Sequence, residues 1–217
     1  MKTIYSALIS LLLLQTAAIA QSTDNVVVGI TANMPTVDVI HRGIPITIKR
    51  VQDTSNKLVD DFSKTSRPCP PFCVNPMSAA EGVTTVGELD IIDFLNKDVA
   101  NGDGLLVDAR MPNFYNSETI PGSINIPFVL FTSSARDILP LLGAIGTDDG
   151  GWDFSGAKTL LLWCNGPWCA QSPRAIRALR AVNYPADKLR YYRGGMQLWK
   201  ILGMTTIQPL SNEVGGS

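Results

Sequence analysis

Chemistry in this chain has few carriers: four cysteines, set as two pairs, and a single histidine. The second pair lies in the stretch Thr159-Leu160-Leu161-Leu162-Trp163-Cys164-Asn165-Gly166-Pro167-Trp168-Cys169-Ala170-Gln171-Ser172-Pro173-Arg174. A continuously apolar run ends abruptly on Cys164, a turn-rich loop follows, and Ser172-Pro173 opens a helical pattern. Strand, loop and helix in that order place Cys164 at a strand's carboxyl end, facing main-chain N–H groups and a helix N-terminus. Such groups favour a thiolate over a thiol. Asn165, Gly166, Pro167, Trp168, Ala170, Gln171 and Ser172 are then expected to form an anion-binding nest. Ser172 is the expected N-cap, with Pro173 at the first helical position, and Arg174 is expected in solvent. A strand-end cysteine can also be simple core packing. Two cysteines in one loop containing glycine and proline favour chemistry.

The first pair sits in Arg67-Pro68-Cys69-Pro70-Pro71-Phe72-Cys73-Val74-Asn75-Pro76, where four prolines rule out a regular helix or a central strand. A local disulfide between Cys69 and Cys73, fixing a turn, is the leading expectation. A redox-active pair or half of a metal site are the alternatives. The metal reading lacks both C-x-x-C spacing and a nearby histidine. His41 borders a predicted turn and is expected to be solvated there. No metal site and no cofactor are expected.

These residues must be positioned by the rest of the chain. Its formal net charge is −1, which leaves no basic surface of the kind nucleic-acid binding requires. Residues 1–20 carry Lys2, an apolar core over 4–14 and the A-x-A site Ala18-Ile19-Ala20, the pattern of a cleaved signal peptide. An exported protein follows, periplasmic or otherwise secreted, with no stable membrane span after cleavage, in a compartment where disulfides persist. Residues 21–78 read as a small β-rich region. It has a strand candidate over 26–30 and a hairpin whose alternating runs, 36–40 and 44–51, flank a three-residue turn at His41-Arg42-Gly43. Residues 53–64 are polar, a linker or short helix. From Ala79 short strands and helices alternate. Strands are expected over 83–86, 105–108, 159–163 and 189–192, and residues 120–127 are expected as a tight turn leading into a short strand. Helices are expected within 89–101, 113–117, 128–142, 173–182 and 195–202. That alternation predicts an α/β fold: an open, mostly parallel sheet with helices on both faces over 79–207, followed by a flexible tail at 208–217. Ligands bind beyond the carboxyl ends of strands in such sheets, where Cys164 is expected.

Three further segments flank this cysteine in order. They are Leu106-Val107-Asp108-Ala109-Arg110, Ile120-Pro121-Gly122-Ser123-Ile124-Asn125-Ile126-Pro127, and Arg193-Gly194-Gly195-Met196-Gln197-Leu198-Trp199 with Gly203 beyond. Together they resemble the rhodanese-like (sulfurtransferase) domain family over about residues 82–204. The resemblance implies a rhodanese-like sheet and a Cys164 nucleophile. In the family such a thiolate takes a sulfane sulfur from a donor, holds it as a persulfide and passes it to a thiol acceptor, which can be a protein. Asp108 and Arg110 are expected to support the site, Asp108 by capping loop amides and Arg110 by pairing with a carboxylate.

The chain also departs from the family's pattern. Its loop is about two residues longer, contains Pro167, Trp168 and Cys169, and has no arginine before Arg174; Thr119 replaces a histidine before the Ile-Pro-Gly turn. The missing arginine argues against phosphate-ester hydrolysis and weakens the case for thiosulfate. Cys169 is placed to resolve a Cys164 persulfide, releasing hydrosulfide and leaving a Cys164–Cys169 disulfide. Trp163 and Trp168 are expected as core filler and lid, or as a contact for a protein partner. The competing functions are a thiol–disulfide oxidoreductase and a binding module that has lost the chemistry.

Overall fold

The computed structural model describes residues 27–209, so the expected signal peptide and nearly all of the expected tail lie outside the described residues. A hairpin comes first, β1 (Thr36–His41) and β2 (Ile44–Lys49), paired antiparallel from Thr36↔Lys49 to His41↔Ile44. The turn is therefore two residues, Arg42 and Gly43, at φ 51° and 84°. Positive φ at both positions suits the twist of a tight hairpin better than the expected three-residue turn. His41 becomes a strand residue on the same face as Val39, because side chains alternate along a strand. It is buried, 6% exposed, and its Nδ1 accepts the Gly122 N–H at 3.2 Å, which corrects the expectation of a solvated turn histidine. Burial, then the nearby Arg42 cation, lowers its pKa. The expected strand over 26–30 does not form at its described positions, which lack strand structure.

The remaining elements alternate as the sequence implies. In chain order they are β3 (Thr84–Val86), α1 (Glu88–Phe94), β4 (Gly104–Asp108), α2 (Pro112–Ser117), β5 (Ser123–Asn125) and α3 (Phe128–Ile138). Then come β6 (Ile145–Gly146), β7 (Trp152–Asp153), β8 (Thr159–Trp163), α4 (Gln171–Ala181), β9 (Leu189–Tyr192) and α5 (Gly195–Ile201). Five strands make one parallel sheet in the order β3-β9-β8-β4-β5. β6 and β7 form a separate small antiparallel pair, joined by the loop at 147–151.

Strand β8 is central and buried on both sides, hence its unbroken apolar run. Leu160 and Leu162 join the core under α3 and α4, with Phe131, Ile176 and Leu179. Leu161 and Trp163 join the opposite core, with Phe94 of α1, Met196 and Trp199 of α5, and Val39 and Ile48 of the hairpin. Each such large side chain contributes roughly 1.5–3 kcal/mol by leaving water. With both faces fixed, the strand cannot slip by one residue without exchanging its two cores. Cys164, the next residue, is held accordingly.

Candidate active site

The site forms where β4 and β8 end side by side, with Asp108 paired to Trp163 in register. Arg110 turns back onto Asp108: Nε donates to Oδ1 at 2.9 Å and Nη2 to Oδ2 at 2.7 Å. Both side chains are buried, at 0% and 1% exposed. The Thr119 hydroxyl also donates to Asp108, at 3.0 Å, and Arg110 Nη2 donates to the Glu118 carbonyl at 2.5 Å. One contact leads to the loop, from Arg110 Nη1 to Asn165 Oδ1 at 3.4 Å, while the guanidinium lies 4.7 Å from the Trp163 ring. Asp108 and Arg110 are thus a neutralised, buried brace behind the cysteine loop.

From the other side the start of α5 holds the loop backbone. The Met196 N–H donates to the Cys164 carbonyl and the Gln197 N–H to the Asn165 carbonyl, both at 2.9 Å. Gly195 makes this approach feasible. Its φ is +56°, and a Cβ there would sit 2.3 Å from the Cys164 oxygen. The Gly194-Gly195 pair seen in the sequence carried this signal, since such a close backbone approach leaves no room for a side chain.

Cys164 Sγ lies inside this frame, 2% exposed, and Cys169 beside it is 6% exposed; neither is in a disulfide. Burial pushes the Cys164 thiol up. Hydrogen bonds from the Cys169 thiol, the Ser172 hydroxyl and the Ser172 and Gly166 amides outweigh it, holding the pKa at about 7. The Ser172 hydroxyl stands 3.1 Å from the sulfur, and the protonated Cys164 thiol can donate to the Cys169 carbonyl at 3.2 Å. Cys169 is driven the other way, well above an ordinary thiol, because its proton is held by the Cys164 sulfur and burial and the negative charge of Cys164 add to that effect. Of the two cysteines, Cys164 is therefore the one that ionises first.

The nest expected of the loop is partly formed by Gly166 and Ser172. Ser172 itself departs from expectation. Helix α4 begins at Gln171 after Ala170, and no side chain caps it. Ser172 is buried in the first turn with its hydroxyl on the cysteine sulfur, and Pro173 follows where helix N–H groups still lack partners. Arg174 is exposed, as expected.

The sequence reading missed the cover over this loop. Residues 60–76 cross it as a strap. The Arg67 guanidinium stacks 3.8 Å from the Trp168 ring, and Phe72 meets that ring edge-on at 5.6 Å. Trp168 Nε1 donates to Gln197 Oε1 at 2.6 Å, and Gln197 Nε2 donates to the Phe62 carbonyl at 3.2 Å. The Asn75 N–H donates to the Pro167 carbonyl at 2.8 Å, and Arg193 Nη2 donates to the Asn75 carbonyl at 2.9 Å. Lys200 pairs with both Asp60 and Glu118. Cys69 and Cys73 are disulfide-bonded within the strap. Trp163 is core filler, with Nε1 donating to Ser123 Oγ at 3.1 Å, whereas Trp168 joins strap to loop. None of these contacts has a local period in the sequence.

Between strap, loop and the start of α3 lies a cavity of about 250 Å³, lined by Cys169 and Asn165 among others. Among the described residues no group of three or more His, Cys, Asp or Glu side chains could hold a metal ion, and no helix is long and apolar enough to cross a membrane.

The site can be set beside known proteins. A model of the rhodanese-like domain matches residues 92–202, just over half of the chain. Among solved structures, a human single-domain sulfurtransferase is 18% identical, covering 56% of this chain and 97% of its own, at a TM-score of 0.39. A thiosulfate sulfurtransferase from Pseudomonas aeruginosa is 16% identical over 58% of this chain and 20% of its own, also at 0.39. A curated HTH-type transcriptional regulator, Rv0324 of Mycobacterium tuberculosis, is 25% identical over 103 residues, 48% of this chain and 37% of that protein. The chain thus spans little more than a third of that relative's length. With the family model matched across the strand, loop and helix that carry Cys164, the chain belongs to the rhodanese-like domain family.

Proposed function

We propose that this protein is an exported sulfurtransferase or persulfide carrier working through Cys164, in a periplasm or secretory route after loss of residues 1–20. In this reading residues 21–78 are a small N-terminal region, 79–207 the catalytic domain and 208–217 a tail. The observation that carries the reading is the Cys164 thiol at the end of β8, held at a pKa of about 7 by surrounding donors despite its burial. Family membership supports it.

The Cys164 thiolate attacks the outer sulfur of a donor R–S–S⁻; the S–S bond breaks and R–S⁻ leaves. The new persulfide carries its charge on the terminal sulfur, where loop amides and the Ser172 hydroxyl are available to stabilise it. An acceptor thiolate then takes that sulfur and Cys164 returns as thiolate. In the branch without an acceptor, Cys169 loses its proton and attacks the inner sulfur. Hydrosulfide leaves, and a Cys164–Cys169 disulfide remains for an external dithiol to reduce. Asp108 and Arg110 position the loop through Asn165 and touch no reacting atom.

Mass mapping of all four cysteines, before and after exposure to thiosulfate, polysulfide or an organic persulfide, tests this reading. Cys169→Ser should accumulate one added sulfur, about +32 Da, on Cys164, because the resolving thiol is gone. Absence of the adduct with every donor would overturn the proposal. Two free thiols side by side, one acidified and one not, favour one alternative, thiol–disulfide exchange. It would show as Cys164–Cys169 disulfide formed by disulfide substrates, with no sulfur adduct under any donor.

A further inference from the structure

The cavity that opens on Cys169, beside the buried Cys164, has an unusual wall for a site that handles anionic sulfur. Pro71 and Phe72, from inside the Cys69–Cys73 ring, form one side; Phe114, Phe128 and Trp168 form the rest. Arg174 is the one charged residue lining it, and Arg174 is exposed. Two further cations lie nearby and both are already paired, Arg110 with Asp108 and Arg67, stacked on Trp168, with Asp61. Gln171 also lines the cavity, and its buried carboxamide oxygen has no hydrogen-bond partner.

A compact dianion such as thiosulfate would leave water for aromatic surface with one solvent-screened cation in return, an unfavourable exchange. An apolar body would instead gain by leaving water, in proportion to the surface it buries. The cavity, about 250 Å³, has the volume of roughly eight waters at about 30 Å³ each, room for on the order of ten non-hydrogen atoms.

We infer that this cavity selects a small organic thiol or hydropersulfide with an aromatic or otherwise apolar body and one anionic end directed at Arg174, in preference to thiosulfate, cyanide or glutathione. The inference rests on the sulfur-transfer reading for the reaction, but the binding it asserts does not. The strap residues Pro71 and Phe72 make this a property of the chain's own cover. In transfer, the acceptor's thiolate forms the new S–S bond with the terminal sulfur of the Cys164 persulfide. The old S–S bond breaks, and Cys164 leaves as thiolate.

The test uses the full chain loaded with sulfur and discharged by para-(mercaptomethyl)benzoate, benzyl mercaptan, glutathione or cyanide, the thiols compared at equal thiolate concentration. The expected kcat/KM for para-(mercaptomethyl)benzoate exceeds that for glutathione by about tenfold or more, the scale on which pocket contacts discriminate. Phe72→Ala should reduce that ratio by about tenfold, and Arg174→Gln should remove the advantage of the carboxylate over benzyl mercaptan. Equal or faster discharge by glutathione, or a ratio unmoved by Phe72→Ala, would overturn the inference. A second arm needs no persulfide: para-methylbenzoate is titrated against the tryptophan fluorescence of unloaded protein. Saturable quenching that weakens about tenfold in Phe72→Ala is expected, and its absence in the parent protein overturns the inference. Failure to load sulfur with saturable quenching intact would sink the transfer reading alone.

Discussion

The segments that carry the two cysteine pairs of this chain meet in space, and the pairs differ in nearly everything else. Cys69 and Cys73 bracket two prolines and a phenylalanine, stand at the outer side of the strap and are joined as a disulfide. Cys164 and Cys169 bracket a glycine, a proline and a tryptophan, are buried and remain free thiols. Similar spacing therefore says little about role. The difference comes from what each pair faces. The outer pair sits on a stiff, exposed turn where a short covalent clip fixes shape. The inner pair ends a central strand, where amides and a hydroxyl converge on one sulfur and leave the other to hold the proton.

The contrast can be broken at either pair. The largest effect is expected from Cys164→Ser, which should lower sulfur loading by at least about a thousandfold, since it removes the thiol whose anion the surrounding donors stabilise. Loading of Cys69→Ser or Cys73→Ser should persist. Stopped-flow measurement of donor consumption checks both. Next comes the brace behind the inner pair. Arg110→Ala strands Asp108 as a buried charge and should cost about 3–5 kcal/mol of stability by urea unfolding. Opening the outer clip with Cys69→Ser should cost less, about 2 kcal/mol, because the closed loop is short. It should also loosen Phe72 against Trp168, seen as a change in tryptophan emission. Ser172→Ala should have the smallest effect on stability, but it removes one donor to the sulfur. The midpoint of Cys164 reactivity against pH should then rise toward the ordinary thiol value.

Much of this arrangement was legible before the coordinates. The apolar run at 160–163 has the pattern of a doubly buried strand, and the Gly-Gly and Asp-x-Arg segments flank it in the order the family uses. The hairpin was readable from its alternation. The failures have local physical causes. Gly43 suggests a longer loop that would place His41 in the turn, whereas Arg42 accepts a left-handed φ and shortens it. Ser172 has the sequence position of a cap, but the nearby sulfur takes its hydroxyl. The strap was invisible for another reason. Arg67 meets Trp168, and Asn75 meets Pro167, across roughly a hundred residues of chain, and no periodicity encodes such a contact.

Stability should follow the same thiol. Its folded pKa of about 7 lies below the ordinary thiol value of about 9, so the anion stabilises the fold. That contribution is present above the ordinary thiol pKa and is lost as pH falls through about 7. The most direct measurement is the ultraviolet thiolate absorbance of the full chain titrated with acid and base, with Cys164→Ser as the subtracted control. A single thiolate with a midpoint near 7, absent from Cys164→Ser and followed by a second ionisation well above the ordinary range that vanishes in Cys169→Ser, is the predicted result. Two thiols titrating together near 9 would contradict the account.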